Sequence, residues 1–300
     1  MKSENLRPSL LAVFSALLMS SPVISWADDS SVAVGPQYDT THVYVQPGKM
    51  DAFVASILKT FGGIVTKRVS VDVTPTPSQT LSQLILTPVG GFSVFDFATP
   101  IPYPFGAERN GFLVKDMDAA IAQAKQAGAD VLVEPFPDPI GRDAVIQWPG
   151  GINTQLYWHT AAPKYTPLTT VPENRVYISR YRVDAFIKSF LIFSKGHVVS
   201  DRENEAAYLC QTAKVREVEL DSTFGKTQIF VTDGHLPYPF GLEKTGYAVK
   251  DLRITLDNAL SSGAKILWRS SAAEVQHSAI VQFRADTLRK YIRFNSRFIL

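Results

Sequence analysis

Pro102-Tyr-Pro-Phe-Gly-Ala-Glu-Arg-Asn-Gly-Phe-Leu-Val-Lys-Asp116 returns 135 residues later as Pro237-Tyr-Pro-Phe-Gly-Leu-Glu-Lys-Thr-Gly-Tyr-Ala-Val-Lys-Asp251, with 10 of the 15 positions identical. A match of that length is a duplicated unit rather than shared composition. In both copies the stretch ends in a short apolar run, then an aspartate, then apolar residues at helical spacing, then Gly-Ala. Gly111–Lys115 therefore reads as a strand. Asp116 reads as an N-cap whose carboxylate accepts the first free backbone N–H groups. Met117, Ala120, Ile121 and Ala124 form the buried face of the helix, and Gly128 ends it.

Working outward, the same order of elements appears before and after. Thr41–Val45 is a strand pattern, followed by a helix from Asp51 with Phe53, Val54, Ile57, Leu58 and Phe61 on one face and Gly62-Gly63 closing it. Strand patterns follow at residues 64–71, 80–87 and 92–97, then after the second helix at 129–134, 143–148 and 153–159. Residues 160–173 hold Pro163, Pro167 and Pro172 without a hydrophobic period, the composition of a linker. Beyond it, Asn174-Arg-Val-Tyr-Ile178 answers Thr41-His-Val-Tyr-Val45, and Val183-Asp-Ala-Phe-Ile187 answers Met50-Asp-Ala-Phe-Val54. The expectation is an α+β fold of four βαβββ units in two pairs: residues 41–160 the first module, 161–173 the linker, 174–300 the second.

Bulk properties narrow the function classes. The 300 residues are 45% hydrophobic and 19% charged, with a formal net charge of +2, and no basic run points to nucleic acid or to an acidic membrane surface. Lys2 and Arg7, an apolar run from Ser9 to Met19, and the small residues of Ser25-Trp-Ala27 have the layout of a cleaved secretory signal over residues 1–27. Residues 28–40 form a polar lead, and the mature chain is expected in a periplasm or outside the cell, with no membrane span after signal removal. Cys210 is the only cysteine, so the chain forms no internal disulfide, and its strand-like setting reads as a buried thiol. A homo-oligomer is compatible with all of this.

The run Val114-Lys-Asp-Met-Asp-Ala-Ala-Ile, then Gly128-Ala-Asp-Val, then Gly141-Arg-Asp-Ala-Val-Ile-Gln-Trp-Pro-Gly-Gly151 and Gln155-Leu resembles the vicinal oxygen chelate superfamily of glyoxalases, bleomycin-resistance proteins and extradiol dioxygenases. The resemblance covers residues 40 to 297. It implies two glyoxalase-like modules with curved mixed sheets around a cleft, and metal ligands on the first and last strands of each unit. A divalent ion that chelates vicinal oxygens asks for about three protein donors. At the implied positions the first module has His42, Arg109, Gln155 and, with its register open by a residue or two, Asp96. The second has Arg175, Lys244 and Tyr291. Arginine has no lone pair to give.

The leading expectation is therefore a small-molecule-binding protein without an essential metal cofactor. Arg109, Arg175, Lys244 and Tyr291 would face an anionic or oxygen-rich ligand. The alternative is one divalent metal ion on His42, Gln155 and Asp96, serving a lyase, isomerase or dioxygenase. A third class is a structural or interaction module whose clefts are filled by side chains. No catalytic residue is assigned. Tyr103 and Tyr238 are expected to pack within their proline-rich loops, and Trp158 and His159 to pack at a strand end. His197, His235 and His277 form no metal-binding spacing.

Overall fold

The computed structural model describes residues 31–205, 214–234, 236–270, 277–283 and 290–296. Residues 1–30, Cys210 and His235 lie outside the described residues. The described residues belong to one compact unit. No described helix is long and apolar enough to cross a membrane.

Each module is one curved sheet. In the first, β1 (Thr40–Val45) is followed by α1 (Met50–Phe61) and the short strands β2 (Ile64–Val65) and β3 (Val69–Val71). Then come β4 (Thr80–Thr87) and β5 (Gly90–Phe97). The second unit runs β6 (Arg109–Leu113), α2 (Met117–Gln126), β7 (Asp130–Asp138), β8 (Gly141–Trp148) and β9 (Ile152–His159). The strand order is β2-β4-β5-β1-β6-β9-β8-β7, with β3 also on β4. A helix carries each chain from the first strand to the far edge, and antiparallel strands bring it back parallel beside the first. The two first strands meet antiparallel at the centre, with His42 opposite Arg109.

The second module repeats this with β10 (Glu173–Ile178), α3 (Val183–Ser194), β11 (His197–Glu205), β12 (Lys214–Ser222) and β13 (Gly225–Val231). Its second unit is β14 (Thr245–Val249), α4 (Leu252–Ser261), β15 (Lys265–Arg269), β16 (Ser278–Phe283) and β17 (Lys290–Ser296). The order is β11-β12-β13-β10-β14-β17-β16-β15. The α+β fold of four units expected from the repeat is what forms.

The helix caps follow the sequence. Asp116 accepts from Ala119 N at 2.8 Å and Asp251 from Ile254 N at 2.9 Å, each removing one orphan donor of its first turn. Gly128 and Gly263 take φ of 93° and 86° just past the helix ends, the left-handed geometry that favours glycine. The repeated Pro-Tyr-Pro-Phe-Gly loops differ from expectation. Phe105 and Phe240 are buried, but Tyr103 and Tyr238 are 82% and 63% exposed, because the buried aromatic of each loop is the one after the second proline.

The helix-side faces make two cores, and each crosses between modules. One joins unit 2 to unit 3, with Phe112 stacked on Phe224 at 4.5 Å and Trp148 edge-on to Phe190 at 5.7 Å. The other joins unit 1 to unit 4, through Phe53, Ile57 and Phe92 against Tyr247, Leu256 and Phe294. Burying aromatics of this size dominates the energetics of such a core. The opposite sheet faces are left to form the clefts.

Candidate functional site

Parity decides which residues reach the first cleft. Successive strand side chains alternate faces. On β5, Phe92 and Val94 enter the helix-side core, whereas Phe95 and Phe97 enter the cleft cluster with Tyr44, Phe105, Phe136 and Val145. On β1, His42 and Tyr44 share that cleft face, and the His42 ring lies 5.4 Å from Phe95 and 5.8 Å from Tyr157. Gly111 makes the space: a Cβ there would stand 2.4 Å from His42 Nε2. Gly246 does the same in the second module, where a Cβ would meet Arg175 Nε at 3.0 Å. Two of the identical glycines in the repeat thus exist to let a cleft side chain lie across the neighbouring strand.

His42 and Gln155 come together. Both are buried, and neither His42 Nδ1 nor Gln155 Oε1 has a hydrogen-bond partner among the described residues. Gln155 Nε2 donates to Asp143 Oδ2 at 2.8 Å. Asp143, on β8 directly opposite Tyr157 on β9, is buried as well. Tyr157 donates its hydroxyl to the Tyr38 carbonyl.

The electrostatics of this group are those of neutral side chains. Burial, helped by the Arg109 charge, drives His42 down to about 3, with the Gln155 side chain working weakly the other way. Burial pushes the Asp143 carboxyl well above its usual range, and the Asp138 charge adds to this. The Gln155 hydrogen bond and Arg109 oppose the shift in part. Burial likewise raises Tyr157 well above, and Tyr44 to about 12.

A cavity of about 150 Å³ opens over these residues. Val71, Val73, Leu84 and Phe95 form its apolar side, and His42, Asp143, Tyr157 and His159 its polar side, with the Asp138 carboxylate at its edge. His159 was expected to pack at a strand end; it lines the cavity instead, half-buried beside the Tyr157 ring at 5.4 Å. Asp143 and Tyr157 were not singled out by sequence. Their signal was present as polar members of two otherwise apolar alternations, but it is readable only once the sheet register is known.

The other sequence-derived candidates lie elsewhere. Asp96 has even parity and faces the helix side. Its carboxylate accepts from Gly48 N at 2.9 Å and Met50 N at 3.3 Å, tying down the start of α1. The cleft place equivalent to Gln155 belongs to Phe95: Gln155 pairs with the residue two beyond Arg109, and Phe95 with the residue two beyond His42.

Arg109 is buried behind the cavity rather than lining it. Its Nη2 donates to the Pro104 carbonyl at 2.5 Å and its Nε to Ala107 at 3.3 Å, while the guanidinium lies over the Tyr44 and Phe105 rings.

The second cleft is built differently. Arg175 is buried, with Nη2 donating to Glu173 at 2.6 Å and the guanidinium over Phe230. Burial lowers its pKa, but Glu173, Tyr177 and Glu243 together raise it above the ordinary value. Lys244 is only half-buried. The loop side chain that enters this cleft is the preceding Glu243, fully buried and accepting from the Tyr177 hydroxyl. Tyr291 pairs with Gln282 in β17; its side chain lies outside the described residues.

The donor set does not fit a divalent ion. His42 and Gln155 offer two neutral donors, Phe95 stands where a third would come, and the Arg109 guanidinium raises the cost of a further positive charge. Among the described residues no group of three or more His, Cys, Asp or Glu side chains is placed to hold a metal.

No known family profile matches the sequence, and no curated protein is similar to it in sequence. Solved structures are similar in fold. A variant of 4-hydroxymandelate synthase from Streptomyces coelicolor shares 12% identity at a TM-score of 0.60, over 86% of this chain and 91% of that one. The 2,3-dioxygenase LapB from Pseudomonas sp. KL28 shares 9% at 0.54, over 89% and 93%. A fusion of a xylose isomerase-like TIM barrel with 4-hydroxyphenylpyruvate dioxygenase shares 12% at 0.51, and this chain spans 49% of its length. At such identities the likeness is one of architecture, and one architecture hosts many chemistries. The chain has the vicinal oxygen chelate fold, as two tandem modules of paired βαβββ units.

Proposed function

We propose that this chain is an exported binding protein that holds a small, oxygen-rich molecule in the cleft of its first module without an essential metal. One observation carries the reading: the cavity of about 150 Å³ has an apolar side and a polar side whose buried groups are held neutral. A space of this order accommodates a single ring. His42 supplies an unpartnered polar atom, and Asp143, held by Gln155 from behind, a carboxyl in which burial favours the protonated form. Such an array exchanges hydrogen bonds with hydroxyl or carbonyl oxygens and discriminates strongly against a ligand that leaves them unpaired. Arg109 contributes positive potential from behind the wall, which favours the electron-rich oxygens of such a ligand. Export rests on the basic start, apolar run and Ser25-Trp-Ala27 site of the first 27 residues.

Calorimetric titration with catechol and 4-hydroxybenzoate, in buffer with and without EDTA, tests the binding. Binding of at least one probe unchanged by EDTA, and weakened at least tenfold by Asp143→Asn, is expected. Binding that appears only with added divalent metal and vanishes in His42→Ala would replace this reading with the metal-dependent one.

A further inference from the structure

The segment that joins the modules is pinned at two points and arched between them. The Tyr165 carbonyl accepts from Gln37 Nε2 at 3.3 Å, and its ring lies 5.5 Å from that of Tyr38. Four residues on, the Pro88 carbonyl accepts from both Thr169 N at 2.7 Å and Thr169 Oγ1 at 2.9 Å. Between the pins, residues 166–168 make no hydrogen bond to any other described residue. They span a cavity of about 350 Å³, more than twice the volume of the one in the cleft. It opens to the surface, and a volume in this range is that of a small-ligand site.

Its lining states what it would take. Ile64, Leu86, Pro88, Pro167 and Leu168 make it largely apolar, and Asp39 is the only acidic or basic side chain in the wall. Gly63 shapes one side: with φ of 106°, it closes onto β4 so tightly that a Cβ would stand 2.2 Å from the Leu86 carbonyl oxygen. Asp39 Oδ1 accepts from Leu113 N at 3.1 Å, whereas its Oδ2 is buried with no partner. Burial pushes the Asp39 carboxyl well above its usual range, with the Leu113 N–H opposing in part, and a charge-assisted bond from a bound cation is what would hold it ionised.

We infer that the cavity beneath this strap is a second ligand site, for a small apolar amine whose ammonium group pairs with Asp39. It is separate from the cleft cavity, although Thr40 and Tyr165 form a wall of both.

Titration of the mature protein with 2-phenylethylamine and, as the uncharged match, 2-phenylethanol tests this at neutral pH. The amine is expected to bind at least tenfold more tightly than the alcohol. Asp39→Asn, which keeps an oxygen for Leu113 N–H, should abolish that preference. Leu168→Trp, on the half-buried strap, should abolish binding of both probes. Urea unfolding without probe verifies that each variant is folded. Equal binding of the two probes, amine binding indifferent to Leu168→Trp, or amine binding lost in Asp143→Asn but kept in Asp39→Asn would each overturn the assignment.

Discussion

The two clefts are built on matching strands and matching glycines, yet they solve the burial of polar groups in opposite ways. In the first, His42, Gln155 and Asp143 are kept neutral beside a cavity, and the nearby Arg109 rests on carbonyl oxygens and ring faces. In the second, Arg175 occupies the place of His42 and brings its own counter-charges, Glu173 and Glu243. A neutral array keeps hydrogen-bonding capacity for a ligand. An ion pair spends that capacity internally, and removing one member strands the other in low dielectric. Duplication has supplied one cleft with neutral polar groups and one whose buried charges are paired with each other.

The contrast is sharpest at the two arginines. Arg175→Met should destabilise the protein by about 3–5 kcal/mol, because Glu173 and Glu243 lose the charge that offsets their burial. Arg109→Met should cost less than about 1.5 kcal/mol, since no described carboxylate is ion-paired to it and its stem and rings can repack. Urea unfolding measures both, and similar losses for the two would erase the distinction.

Acid should separate the clefts next. The unfolded chain protonates His42 near 6.5, whereas the folded one resists to about 3. His42 therefore subtracts up to about 1.4 kcal/mol per pH unit as pH falls through that window. Asp143 has the opposite sign. Its folded pKa is raised, so its contribution is fully present below the ordinary carboxylate value and is lost as pH rises through the folded value. His42→Gln should flatten the acid side of the stability–pH curve and Asp143→Asn should steepen it. Parallel curves for all three proteins would show that these groups are not buried as described.

Smaller effects follow at the matched tyrosines. Tyr177→Phe removes the hydroxyl that Glu243 depends on and should cost about 1.5–3 kcal/mol. Tyr44→Phe loses one hydrogen bond to the Gly106 backbone and should cost about 0.5–1.5 kcal/mol. Tyr103→Ser, at an exposed loop tip, should stay within about 0.5 kcal/mol in thermal unfolding.

Much of the architecture was legible because it repeats. The offset of 135, the aspartate caps and the terminating glycines each state a local geometry that needs no tertiary information. His42 and Gln155 could be placed together because they sit on strands flanking the centre of the sheet. Asp96 could not be excluded, since a one-residue change of register exchanges the cleft and helix faces, and only the pairing of Tyr44 with Phe95 resolves it. Arg109 and Lys244 looked equivalent by position, but Glu243 turns inward in the second copy, where Arg175 stands in place of His42 and supplies a buried charge to meet it. Asp143 was hidden because a lone aspartate on a strand carries no spacing signal. The strap over the second cavity was legible as a linker by composition, but not as a wall.

The crossed cores carry one more consequence. Unit 1 is sealed by unit 4 and unit 2 by unit 3, which is how two copies of a single module would meet about a twofold axis, each half against the other copy's opposite half. The protein is in this sense a dimer written into one chain. A gene fragment encoding either module alone would present the uncovered faces of two helices, Phe186 and Phe190 among them for the second, and would be driven to self-associate. Carried in one chain, the halves need not be identical, and one cleft can change without the other.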